Sequence, residues 1–161
     1  MRHDAVNGRV PECSGKRFAV IVARFYSEMA DWLVDGAKRA LSDCGVLDVD
    51  VYDVPGCFEL PLACRNVIDT QPYDALVALG VVIRGETPHF DFVAGECARG
   101  IMDVQLATGV PIGFGVLTTE NALQAQERAD PQRGDKGYEA AMAAATLLRI
   151  TSGVARAGFR T

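Results

Sequence analysis

The chain has 161 residues, 49% of them hydrophobic, and a formal net charge of −5. That length suits one domain, and folding it buries roughly 70% of the unfolded surface, so neither disulfides nor a metal are needed to hold a core. The acidic balance argues against non-specific nucleic-acid binding, which calls for a basic face, and the longest apolar run, Ala75 to Ile83, is too short to span a membrane.

The five cysteines (13, 44, 57, 64 and 97) are scattered and form no Cys-x-x-Cys pair. They read as reduced thiols of a cytoplasmic protein, not as a zinc site or a disulfide framework. The first residues, MRHDAVNGRVPECSGK, are polar and read as carrying no secretory signal. With Gly8, Pro11 and Gly15, residues 1–16 are expected to be a flexible arm, and residues 17–161 a single domain.

Arg17 to Ala23 reads as a buried strand. The helix after it carries apolar residues at Met29, Leu33, Ala37, Ala40 and Cys44, the spacing of one helical face, with Gly45 as its C-terminal stop. Val49 to Val54 predicts a second strand, broken by Pro55-Gly56, and a helix from about Phe58 to Asp69. Ala75 to Ile83 is apolar almost throughout, as in a parallel strand covered on both faces. Thr87 as N-cap and Pro88 at the first helical position predict a third helix, ending near Thr108-Gly109. Pro111 to Leu117 is the fourth strand. Asn121 and Gln124 predict the capped start of a short helix ending near Ala129, and the last helix is expected over Lys136 to Thr151.

Strands that alternate with helices predict an α/β fold, a parallel sheet with helices on both faces. Ligands of such folds sit beyond the carboxyl ends of the strands, where the strand order reverses. Four unusual loops follow strands and should converge there: Arg24-Phe25-Tyr26, Pro55 to Glu59, Arg84 to His89, and Thr118-Thr119-Glu120.

Arg84 to His89 has the parts of an anion site. Free N–H groups and the dipole at a helix start favour phosphate, and Gly85 permits close backbone approach. Glu86 should turn its carboxylate away. His89 has the chemistry of a proton carrier, while a helix-start histidine with no chemistry is the plainer reading of the residue alone. Phe25 offers a face for a flat heterocycle, though a lone phenylalanine is more often packing. Glu59 serves equally as a dipole partner or a ligand. Arg128 and Lys136 flank a turn and suit an anionic substrate, Arg through its fork, although surface cations are common. Gly113-Phe-Gly115 does not continue as a dinucleotide fingerprint and lies inside a strand. No phosphate-loop, nucleophile-elbow or metal-ligand motif occurs.

Taken together and in order, these pieces resemble the lumazine synthase family of the riboflavin pathway. The matching segments are Ala23-Arg-Phe-Tyr26, Val54-Pro-Gly-Cys-Phe-Glu-Leu-Pro61, Gly80 to Asp91, Phe114 to Asn121, Glu127-Arg-Ala129 and Asp135-Lys-Gly137. They extend the likeness from about Arg17 to Arg149. The resemblance implies a flavodoxin-like three-layer sandwich with a four-stranded parallel sheet. It implies a transferase that condenses 5-amino-6-(D-ribitylamino)uracil with 3,4-dihydroxy-2-butanone 4-phosphate, giving 6,7-dimethyl-8-ribityllumazine, phosphate and water, without cofactor or metal.

By the same resemblance, Phe25 would stack on the pyrimidine, and Cys57, Phe58 and Glu59 would hold the ribityl chain. Val81, Val82 and Ile83 would line the pyrimidine edge. Gly85, Glu86 and Thr87 would meet the phosphate through backbone N–H groups, with Arg128 as its counter-charge, and His89 would transfer protons. Phe114, Arg128 and Lys136 would arrive from a neighbouring subunit of a homopentamer. Glu86 and Pro88 occupy positions where the family varies, and Cys57 fills a small-residue position, so its thiol carries no expected chemistry. The short segment from Asp130 to Asp135 lacks the insertion of members that stop at pentamers, which points to an icosahedral shell; riboflavin synthase is the implied protein partner. A flavin- or lumazine-binding protein, or a shell protein with little turnover, is the alternative.

Overall fold

The computed structural model describes residues 9–151. Strands and helices alternate up to a final helix pair: β1 (Phe18–Ala23), α1 (Ser27–Asp43), β2 (Val49–Val54), a 3-10 turn (Cys57–Glu59), α2 (Leu60–Thr70), β3 (Ala75–Ile83), α3 (His89–Thr108), β4 (Ile112–Thr119), α4 (Ala122–Ala129) and α5 (Lys136–Thr151). All four strands pair in parallel, in the order β2-β1-β3-β4. Among the described residues no helix is long and apolar enough to cross a membrane.

Strand alternation divides the core into two layers. Phe18, Val20, Val22, Val77 and Leu79 face α1, α4 and α5, while Ala19, Ile21, Leu76 and Ala78 face α2 and α3. Every residue of β1 is buried, because helices cover both of its faces and strands both of its edges.

Helix α1 buries Met29, Leu33, Ala37 and Ala40, the face its spacing predicts. It stops as its glycine predicts. Gly45 takes φ +84°, its N–H bonds the Ser42 carbonyl at 3.0 Å, and the Val46 N–H bonds the Leu41 carbonyl at 2.9 Å, the paired bonds of a Schellman motif. Gly113 and Gly115 have a packing reason. A Cβ on Gly113 would lie 2.1 Å from the Ala140 carbonyl oxygen, so α5 crosses β4 almost backbone to backbone.

Strands β1 and β4 each begin one residue later than expected, at Phe18 and Ile112, and three further boundaries differ from the sequence-based expectation. The second helix begins as a 3-10 turn over Cys57–Glu59, and α2 proper starts at Leu60, with Pro61 tolerated in its first turn. Helix α3 starts at His89, not at Pro88. Pro88 (φ −70°, ψ 6°) is itself the N-cap and no side chain caps the helix, since the Pro88 carbonyl closes a tight turn onto the Asp91 N–H at 3.0 Å. Strand β4 runs two residues beyond Leu117, because Thr118 and Thr119 stay paired with Val82 and Ile83. Of the expected arm, residues 1–8 lie outside the described residues. In its second half Cys13 is buried, and its N–H bonds the Cys44 carbonyl at 2.8 Å.

Candidate active site

The strand order turns back at β1 and β3: β2 lies on one side of this pair and β4 on the other. Pairing of β1 with β3 ends at Val22–Leu79, whereas β3 continues beside β4 to Ile83–Thr119. The edge of Gly80 to Ile83 that faces β1 therefore leaves the ladder. Backbone N–H and C=O groups on that edge have no strand partner and suit a flat heterocycle with polar edges.

A cavity of about 550 Å³ opens at this point. Phe25, Cys57, Phe58, Glu59, Val81, Val82, Ile83, Gly85, Thr87 and His89 all line it, together with Tyr26, Gly56, Phe90, Phe92 and Val93. Phe25 leaves the end of β1 and is 74% exposed, its ring edge-on to Tyr26 at 5.0 Å between centroids. So exposed a ring buries little within its own chain, and it offers a face to a ligand. Phe58 is 61% exposed on the opposite 3-10 turn.

Gly80 sets how closely the 3-10 turn of the cavity approaches β3. A Cβ there would meet the Cys57 Sγ at 2.5 Å and the Ala23 Cβ at 3.1 Å, so only glycine lets the 3-10 turn settle on β3. The Cys57 thiol points to the Val81 carbonyl at 3.8 Å, and burial pushes it up to about 12. It stays a neutral thiol, a poor nucleophile at neutral pH.

The Arg84–His89 turn forms the far wall. All six of its residues are exposed. No atom lies within 4 Å of a Cβ built on Gly85, so the space above that backbone is open. No side chain caps α3, so apart from the Asp91 N–H, which the Pro88 carbonyl takes, no side chain competes with an anion for the N–H groups at its start. His89 is the first residue of α3, and its side chain makes no hydrogen bond among the described residues.

Phe114, Arg128 and Lys136 are brought together elsewhere. They line a second cleft of about 380 Å³ between β4, α4 and α5, which shares no lining residue with the first. Arg128 donates to the Gln124 carbonyl at 3.1 Å, and Lys136 pairs with Glu139 at 2.7 Å.

The sequence model of the 6,7-dimethyl-8-ribityllumazine synthase family matches residues 15–152. A 6,7-dimethyl-8-ribityllumazine synthase of Cutibacterium acnes is 50% identical over 145 residues, 88% of this chain and 86% of the relative. Those of Desulfotalea psychrophila and Desulfatibacillum aliphaticivorans are 47% identical over 141 residues and 46% over 138, covering 86% and 84% of this chain and 91% and 89% of the relatives. The chain belongs to the 6,7-dimethyl-8-ribityllumazine synthase family.

For a member of the 6,7-dimethyl-8-ribityllumazine synthase family, two features of the clefts escape a reading by loops alone. Glu139 lines the second cleft as the ion-pair partner of Lys136, and the signal was present as a Lys-x-x-Glu spacing at the start of α5. Phe92 and Val93 line the first cleft from within α3, where helical periodicity invites a core assignment. Phe92 is 67% exposed, which periodicity alone does not reveal. Glu86, grouped with the anion turn by sequence, is not among the residues lining the cavity.

Proposed function

We propose that this chain condenses 5-amino-6-(D-ribitylamino)uracil with 3,4-dihydroxy-2-butanone 4-phosphate to give 6,7-dimethyl-8-ribityllumazine, phosphate and water. The observation that carries this reading is the single cavity that joins Phe25, the backbone edge of Val81 to Ile83 beyond the β1 ladder, and the uncapped start of α3 beside His89. These supply a stacking face, an edge for a pyrimidine and an anion site, which two substrates of this chemistry need side by side.

The roles follow from residue chemistry. Phe25 stacks on the pyrimidine, whose edge meets the backbone of Val81, Val82 and Ile83. Cys57, Phe58 and Glu59 receive the ribityl chain. Gly85, Glu86 and Thr87 direct N–H groups at the phosphate. The aryl amine attacks the ketone and water leaves; phosphate is then eliminated, and the second amine closes the ring on the remaining carbonyl with loss of water. His89 moves protons in these steps. Holding two reactants in register supplies on the order of 7–11 kcal/mol, while one positioned acid–base group adds about 10²–10⁴-fold, so placement dominates.

Phe114, Arg128 and Lys136 complete the site from a neighbouring copy in a homopentamer, Arg128 facing the phosphate. This is supported by their separate cleft and by the thin burial of α3. Of its twenty residues only Cys97 and Ile101 are fully buried, while Phe92, Met102 and Leu106 are exposed. The direct passage from α4 to α5, through residues 130–135, favours a closed shell over isolated pentamers. Five free cysteines support a cytoplasmic setting, where riboflavin synthase would take the product.

The decisive experiment mixes both substrates with the protein and follows lumazine fluorescence. Product formation at many turnovers per chain is expected. Tight binding of the pyrimidine with no product would leave a binding protein in place of an enzyme.

A further inference from the structure

We infer that Arg84 is a positioning residue: its guanidinium clamps the anion turn to the β4–α4 loop and so fixes where the phosphate is held. The inference rests on the reading of Gly85 to Thr87 as the phosphate site. Arg84 donates from Nε to Glu120 at 2.9 Å, and from NH1 to both oxygens of Asp91 at 3.2 and 3.4 Å. The same guanidinium lies over the Phe90 ring, 4.3 Å from its centroid. One side chain thus joins the end of β3, the first turn of α3 and the loop after β4.

The turn has little else to hold it. Its residues are exposed and α3 has no side-chain cap. The Arg84 N–H bonds the Thr119 carbonyl at 2.9 Å, and beyond it the chain relies on the Arg84 side chain until Pro88 closes onto Asp91. The anchor itself is firm. The Glu120 N–H bonds the Gln124 Oε1 at 2.9 Å, and the hydroxyl of buried Thr119 bonds the Asn121 carbonyl at 3.0 Å. Arg geometry suits the task, since a planar fork reaches two carboxylates while its face stacks on a ring.

Arg84 is not the phosphate's counter-charge. Two carboxylates engage its Nε and NH1, and the trio of Arg84, Glu120 and Asp91 carries a net negative charge. The two roles predict opposite signs for Glu120→Gln. Removing a carboxylate from a counter-charge strengthens phosphate binding; removing it from a clamp weakens it.

The test compares Arg84→Ala, Arg84→Lys and Glu120→Gln in the assembled protein. Three quantities are read: KM for each substrate, inhibition by inorganic phosphate, and amide exchange of the peptide spanning residues 84–90. Arg84→Ala and Glu120→Gln should each raise KM for the phosphorylated ketone about tenfold, well inside the hundredfold that an ångström of misplacement can cost. Phosphate inhibition should weaken in step, KM for the pyrimidine should hold within about twofold, and Arg84→Lys should recover only part of the loss. Exchange in residues 84–90 should quicken in both variants. A tighter KM for the ketone in Glu120→Gln would make Arg84 a counter-charge and overturn the clamp, as would unchanged exchange. If the wild-type protein forms no product, the reaction assignment falls, and the exchange measurement still decides the clamp.

Discussion

Arg39 closes its fork on Asp135 across 96 residues of sequence, with NH2 to Oδ1 at 2.8 Å and NH1 to Oδ2 at 3.1 Å. Asp135 has φ +49°, the only non-glycine among the described residues in the left-handed region. It immediately precedes Lys136 of the second cleft. The bare α-carbon of Gly36 on α1 makes room for it, since a Cβ there would lie 2.6 Å from the Asp135 Oδ1. Asp135→Ala loses the bidentate pair and keeps the strained φ, and should cost about 1–2 kcal/mol of stability in urea unfolding. Asp135→Gly loses the pair but relieves the backbone, and should recover about half of that cost.

The same helix contact predicts a sharper effect at Gly137. A Cβ there would stand 2.1 Å from the Leu33 carbonyl oxygen, a backbone atom that cannot swing away. Gly137→Ala must therefore push α5 off α1, with a loss of about 1–3 kcal/mol, while Gly95→Ala, in open space, should be neutral or slightly stabilising. Thermal unfolding of the two variants side by side checks the contrast.

These contacts mark where sequence reading stops. Strands β2 and β3 and the start of helix α5 fall at their expected bounds because an apolar run or a clear breaker defines each of these ends. The cap of α4 was legible too. Asn121 accepts from the Gln124 N–H at 2.9 Å, although the Gln124 side chain returns to the Glu120 N–H, one residue earlier than a capping box places it. The residues of the first cavity could be gathered from loops that follow strands. Glu139, Phe92 and the Arg84 clamp could not, since each depends on what a neighbouring element presents, and periodicity says nothing of that. Thr87 as a cap failed because Pro88 closes its own turn onto Asp91.

Buried thiols should make the fold sensitive to alkali. Burial pushes Cys57, Cys64 and Cys97 up to about 12 from an ordinary 9.0. Below pH 9 both folded and unfolded chains keep these protons, and the thiols' contribution to stability is fully present. Between 9 and 12 the unfolded chain sheds protons that the folded chain retains, so stability falls as pH rises. Each thiol contributes a slope of up to about 1.4 kcal/mol per pH unit. Urea unfolding under reducing conditions from pH 8 to 10.5 should show this decline. Cys64→Ala should start lower, from its cavity, and decline less steeply; an identical slope would remove Cys64 as a contributor.

Arg128→Ala separates the two substrates. With Arg128 as counter-charge to the phosphate, its loss should raise KM for the phosphorylated ketone by about tenfold to a hundredfold, the value of one charge-assisted hydrogen bond, and leave the pyrimidine KM near its starting value. Because the second cleft shares no residue with the first, the fold around Phe25 and His89 should be untouched. Unchanged KM and kcat/KM for the ketone would remove Arg128 from the phosphate site.

His89→Ala asks how much of the rate belongs to proton transfer. The side chain is exposed and makes no hydrogen bond among the described residues, so its removal should not disturb stability. If placement carries most of the acceleration, kcat should fall by no more than about 10²-fold, toward the low end of what a single acid–base group supplies. KM for either substrate should move little, since the stacking face and the anion turn are intact. His89→Gln, which retains a hydrogen-bonding side chain without a titrating ring, should behave like the alanine variant if protons are the issue. Recovery of most of the rate by glutamine would instead assign His89 to substrate orientation, and complete loss of activity in both variants would make it indispensable to the chemistry.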